Sequence, residues 1–122
     1  MQKILIIEDD PYLSEMYKMK FELEGYIVLV ARDGQEGVDS AFTTKPDIIL
    51  LDLVMPIKDG YHVIKELKEN DKTKAIPVLV LSNLGQVDEI KKAMNDGAEK
   101  YLIKANITPE QLLKEVRSFL DK

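Results

Sequence analysis

Two apolar patterns alternate along the chain. The first is the short unbroken run. Lys3–Ile7, Tyr26–Ala31, Ile48–Leu51, Val78–Leu81 and Lys100–Ile103 are apolar almost throughout and show no two-residue alternation. Runs of that length predict strands covered on both faces, as in a parallel sheet. The second pattern has helical spacing. Leu13, Met16, Tyr17 and Phe21 define one such face, and Val38, Ala41 and Phe42 a shorter one. Val63, Ile64 and Leu67 mark a third, and Ile90, Ala93 and Met94 a fourth. Leu112, Leu113, Val116, Phe119 and Leu120 mark a fifth.

Turn chemistry separates the elements. Asp10–Pro11 predicts an N-cap with proline at the first helical position, and Gly25 and Gly97 predict helix stops. Asp33–Gly34 and Lys58–Asp59–Gly60 predict turns into helices, and Pro46 and Pro77 precede strands. Thr108–Pro109–Glu110–Gln111 is a capping box. The mixed-charge run Glu69–Lys74 predicts a solvated loop. Five strands alternating with five helices predict one α/β domain over residues 1–122, with a doubly wound parallel sheet and helices on both faces. No internal repeat or linker interrupts it.

Four of the five strands end in a group capable of chemistry: Glu8 and Asp9 after the first, Asp52 after the third, Ser82 after the fourth and Lys104 after the fifth. Each alone has a plain structural explanation, because acids cap helices, serines make turns and lone lysines are solvated. In a parallel sheet, however, all these ends share one edge, and that edge holds the ligand crevice of open α/β sheets.

Composition narrows the chemistry. With no cysteine and one histidine, disulfides, thiolate catalysis and a zinc site are all disfavoured. A net charge of −5 argues against nucleic acid or an anionic membrane as a direct partner. No glycine–lysine phosphate loop is present, so nucleotide binding is not supported. The opening Met-Gln-Lys-Ile-Leu-Ile-Ile is too short for a signal peptide or a span, which predicts a cytoplasmic protein. Asn106–Ile107–Thr108 therefore carries no meaning as a glycosylation triplet. His62 is expected at the surface. Glu8, Asp9 and Asp52 are hard oxygen donors suited to Mg2+. A carboxylate beside that cation can attack phosphorus and form an acyl phosphate, with Lys104 neutralising phosphoryl charge.

The motifs Ile6-Ile7-Glu8-Asp9-Asp10, Leu51-Asp52-Leu53-Val54-Met55-Pro56 with Asp59-Gly60, Val80-Leu81-Ser82, and Gly97-Ala98 followed by Tyr101-Leu102-Ile103-Lys104 resemble the receiver domain of bacterial two-component response regulators, over essentially the whole chain. The resemblance implies a flavodoxin-like sheet of order 2-1-3-4-5. It implies Asp52 as acceptor of a phosphoryl group from a sensor histidine kinase or histidine phosphotransfer protein. Glu8, Asp9, Asp52 and the Val54 main-chain carbonyl become Mg2+ ligands. Lys104 becomes the phosphoryl contact, and Ser82 and Tyr101 the switch pair. Asp10 is left as a cap. The output surface becomes the face of the fourth helix, fifth strand and fifth helix, including Lys91, Lys92, Met94, Asn95, Tyr101 and Lys114. A monomer or weak dimer is expected, and a signalling module rather than an enzyme acting on a free substrate, with no output domain in residues 1–122, either stand-alone or cut from a longer protein.

Three positions depart from the family pattern. Lys104 precedes Ala105 where the family has a proline after a cis peptide; because Lys104 must be aimed at Asp52, we expect the cis bond to be kept. Asn83 replaces a small residue and is expected to narrow access to the phosphoryl group or bond to it. Val54 and Leu84 are apolar where polar side chains can guide an attacking water, which predicts slow autodephosphorylation. An aspartyl phosphohydrolase is the competing enzyme. It would want a second acid two residues after the nucleophile, where this chain has Val54. A phosphorylation-independent interaction domain is a third possibility, and the joint presence of Glu8, Asp9, Asp52, Ser82 and Lys104 argues against it.

Overall fold

The computed structural model describes residues 1–55, 57–83 and 85–121; Pro56 and Leu84, both singled out above, lie outside the described residues. In chain order the elements are β1 (Lys3–Ile7), α1 (Pro11–Leu23), β2 (Ile27–Ala31), α2 (Gly34–Thr44), β3 (Ile48–Leu51), α3 (Gly60–Glu69), β4 (Val78–Ser82), α4 (Val87–Asp96), β5 (Lys100–Ile103), a 3-10 turn (Lys104–Asn106) and α5 (Pro109–Leu120). The strands form one five-stranded parallel sheet of order β2-β1-β3-β4-β5. The chain leaves β1 towards β2 and then crosses back to β3. The crevice at that reversal, beyond the strands' carboxyl ends, is where such sheets bind ligands.

The absence of alternation in the strands follows from a core on each face. Ile49 and Leu51 of β3 point into one layer with Leu5, Ile7, Val38, Ile64, Val80 and Ala93, beneath α2, α3 and α4. Their neighbours Ile48 and Leu50 point into the other, with Ile4, Ile6, Phe21, Leu79 and Leu113, beneath α1 and α5. All four β3 residues are buried. Burying such a side chain contributes about 1.5 to 3 kcal/mol, so this strand is held from both sides.

The caps follow the sequence. Asp10 accepts from the Tyr12 and Leu13 amides at 2.9 and 3.3 Å, which confirms it as a helix cap. Asp33 caps α2 through Glu36 N at 2.8 Å, and the Thr108–Gln111 capping box is complete. β2 starts at Ile27 rather than Tyr26, because the Tyr26 amide is spent on Phe21 O at 3.1 Å in closing α1 around left-handed Gly25. Met16 is 41 % exposed, one position off the buried face formed by Ser14, Tyr17 and Phe21. The loop after α3 is also less solvated than its charge implied. Thr73 is buried, and its hydroxyl donates to Leu67 O at 2.6 Å, which satisfies a carbonyl at the helix end.

Candidate functional site

Parallel register brings the strand ends together. Ile7 pairs with Leu51, and Leu51 with Val80. The next amides continue the ladder: Asp52 N donates to Ile7 O at 3.0 Å and Glu8 N to Ala31 O at 2.9 Å. Backbone bonding therefore fixes Glu8 and Asp52 side by side at the edge. One oxygen from each of Glu8, Asp9 and Asp52 lies within 4.8 Å of the others, with Glu8 and Asp52 buried and Asp9 exposed. The Val54 amide donates to Asp52 Oδ1 at 3.3 Å, and the Val54 side chain is 59 % exposed.

Lys104 closes the site from the far end of the sheet. Its ammonium donates to Asp52 Oδ2 at 3.1 Å and also to Glu8 Oε1. Burial opposes the Lys104 charge, but the two carboxylates outweigh it and hold its pKa above the ordinary lysine value. Burial acts the other way on Glu8. Desolvation, with Asp52 alongside, pushes its pKa up to about 7 against the pull of Lys104.

The expected cis peptide is not found. No peptide bond among the described residues is cis, and Lys104 still reaches Asp52. Cis costs about 3 kcal/mol before a residue other than proline. The 3-10 turn Lys104–Asn106 carries the chain onward in trans, and the long lysine stem spans the gap from β5.

Ser82 is buried at the end of β4. Its side chain hydrogen-bonds that of half-buried Tyr101, whose pKa is nevertheless raised by burial. The predicted switch pair is thus in contact. Asn83 is exposed beside it. On the proposed output face Lys91, Lys92, Met94, Asn95 and Lys114 are exposed, though Lys92 Nζ sits 4.3 Å over the Tyr61 ring of α3. His62 lies at the surface, paired with Asp59 at 3.1 Å.

The donor set can be tested for fit to a divalent cation. Glu8 Oε2 is buried and has no hydrogen-bond partner among the described residues, an arrangement that costs free energy unless something else occupies it. With Asp9 and Asp52 it offers hard oxygens of the kind a hydrated Mg2+ takes. The residues fit.

Two glycines shape the site's margins. A Cβ on Gly34 would come within 2.0 Å of Lys58 O, and one on Gly60 within 2.6 Å of Leu53 Cα, so α2 and α3 start hard against the loop that follows Asp52. Tyr17, which helical spacing marked only as a core residue, lines a small cavity with Glu8 and Asp52. No helix among the described residues is long and apolar enough to cross a membrane.

Comparison with known proteins agrees with the geometry. The family model for the response regulator receiver domain matches residues 4–117. The chain is 40 % identical over 120 residues to the DNA-binding dual master transcriptional regulator RpaA of Synechocystis, covering 98 % of this chain but 49 % of that protein. It is 38 % identical to Protein PilH of Pseudomonas aeruginosa, covering 98 % of each. The chain thus spans about half the length of RpaA and nearly all of PilH. Among solved structures, the Vibrio cholerae chemotaxis protein CheY4 superposes with a TM-score of 0.90 at 28 % identity, covering 98 % of both chains. The Francisella response regulator 1452 receiver domain gives 0.91 at 29 %, covering 99 % of this chain and 98 % of that one. The chain belongs to the response regulator receiver domain family.

Proposed function

We propose that this chain is a phosphorylation-controlled signalling module whose acceptor is Asp52. The carrying observation is the meeting of three carboxylates and one lysine at the ends of β1, β3 and β5, with Lys104 Nζ 3.1 Å from Asp52. A carboxylate oxygen of Asp52 attacks the phosphorus of a phosphohistidine on a histidine kinase or phosphotransfer protein. The P–N bond breaks as the P–O bond forms, and the imidazole nitrogen leaves with the electron pair and takes up a proton. Lys104 is positioned to take charge from the phosphoryl oxygens. Glu8, Asp9, Asp52 and the Val54 main-chain carbonyl would hold Mg2+. When bound, that cation supplies further neutralisation of the phosphoryl charge.

After transfer, Ser82 exchanges its contact with Tyr101 for one to the phosphoryl group, and Tyr101 turns further inward. The two arrangements are states of one equilibrium, biased by the phosphoryl group's different contacts in each. The face of α4, β5 and α5 reads out that bias to a downstream protein. The chain catalyses only its own phosphorylation and a slow dephosphorylation, and it works in the cytoplasm.

The test is incubation with Mg2+ and radiolabelled acetyl phosphate. Stable protein-bound label that Asp52→Ala abolishes is expected. Continuous release of phosphate without accumulated label would indicate a hydrolase instead, and no label at all an inert domain.

A further inference from the structure

Of the five α-helices, α4 is the least firmly held. Ala93 is its only buried residue, whereas α1, α2, α3 and α5 each bury three or more. Val87 and Met94 are large and apolar, yet exposed. Gln86 at the N-cap gives the first turn no side-chain hydrogen bond. A helix that buries this little and lacks a cap opens at low free-energy cost. Its charges add to the weakness. Glu89 Oε2 and Asp96 Oδ2 are buried and have no hydrogen-bond partner among the described residues, which costs free energy on the side that meets α3.

One contact works the other way. Lys92 lies three residues after Glu89 and four before Asp96, so the three share one side of α4. Its Nζ sits 4.3 Å over the ring of Tyr61, in the first turn of α3 at the end of the loop that follows Asp52. A cation over the negative face of an aromatic ring is attracted to it. Lys92 has no carboxylate partner of its own among the described residues, so the ring holds its charge. Tyr61 and Tyr101 pack against the same core layer, which sets this contact beside the proposed switch residue.

We propose that the Lys92–Tyr61 pair is a clasp that holds α4 on α3 in the unphosphorylated chain, and that its strength sets how readily α4 leaves that position. The outward side of α4 carries Lys91, Met94 and Asn95, so the clasp governs how they are presented to a partner. A loosened clasp raises the population that phosphorylation selects. The proposal rests on the reading of Asp52 as acceptor and of the α4, β5 and α5 face as output.

The test is amide hydrogen exchange, read by mass spectrometry on the unphosphorylated full chain. It compares wild type with Lys92→Met, Tyr61→Leu and the double variant. Each single variant should open α4 about threefold more often, the effect of losing an exposed cation–π pair. Peptides from α1 and α5 should exchange as in wild type. The double variant should match the singles rather than compound them, because both remove one interaction. Tyr61→Phe and Lys92→Arg keep the ring and the charge, and should retain wild-type exchange. Labelling by acetyl phosphate should speed up by a similar factor in Lys92→Met and Tyr61→Leu. Unchanged α4 exchange, or additive effects in the double variant, would overturn the clasp. Faster exchange with unchanged labelling would overturn its regulatory role. No label in wild type or variants would overturn the Asp52 reading and the regulatory role with it, while exchange would still report on the clasp.

Discussion

Lys104 Nζ lies 3.1 Å from Asp52 Oδ2 while the peptide that follows Lys104 is trans. The lysine's reach therefore does not depend on a proline-type turn. Its stem runs from the end of β5 along the sheet edge, and its head is held by Asp52 and Glu8 together. Removing that head deletes charge neutralisation at the proposed acceptor and leaves the carboxylates that would bind the cation. Lys104→Met should slow labelling by acetyl phosphate about a hundredfold, the usual effect of deleting one charge-stabilising donor, and keep Mg2+ binding. Undiminished labelling would remove Lys104 from the transfer step.

The rim next to Asp52 carries no polar side chain at position 54, and Val54 is 59 % exposed there. An apolar side chain cannot orient a water for attack on the acyl phosphate. The phosphorylated wild type should hold its label well beyond seconds after donor removal, and Val54→Asn should shorten that lifetime. A wild-type half-life of seconds would contradict this role for Val54.

Gly34 and Gly25 separate crowding from backbone strain. A Cβ at Gly34 would collide with Lys58 O at 2.0 Å, a backbone atom that cannot swing aside. Gly25 has open space around it, but its φ is +94°. Gly34→Ala should cost about 1 to 3 kcal/mol or more in urea denaturation. Gly25→Ala should lose roughly 1 kcal/mol from strain alone. Of the two, only Gly34→Ala should also impair labelling, because it presses on the loop after Asp52.

Asp59 gives a pH signature. It caps α3, accepting from His62 N at 3.1 Å. Partial burial raises its pKa, but bonds from the His62 amide and ring outweigh this, and the net shift is downward. A carboxylate with a lowered folded pKa adds stability above its unfolded pKa near 3.8, and that stability is lost as pH falls through the folded value. Asp59→Ala should therefore cost about 1 kcal/mol at pH 7. The gap to wild type should close in urea titrations carried into the acid range below the folded pKa. A gap that stayed constant there would show that the charged carboxylate is not the cap.

Much of this was visible in the sequence because it depends on local pattern. Unbroken runs such as Ile48–Leu51 mark strands with a core on each face, and parallel alternation then forces Glu8, Asp9, Asp52, Ser82 and Lys104 to one edge. Details set by packing and backbone conformation were not visible. Thr73 sits in a charged run, yet its hydroxyl turns inward to Leu67 O. Met16 fits the helical period but falls outside the buried arc. Ile57 adopts φ +70°, a left-handed conformation that no β-branched residue predicts. The trans Lys104–Ala105 bond departs from expectation because that expectation rests on aiming Lys104 at Asp52, which the long lysine stem achieves without a cis bond.

The identity of the acceptor is tested most directly by mass spectrometry after incubation with Mg2+ and acetyl phosphate, on wild type and on Asp52→Asn. One phosphoryl group is predicted on the wild-type peptide that contains Asp52, removable by hydroxylamine as an acyl phosphate is, and absent from the variant. A phosphoryl group on another residue, or one retained in Asp52→Asn, would contradict the assignment.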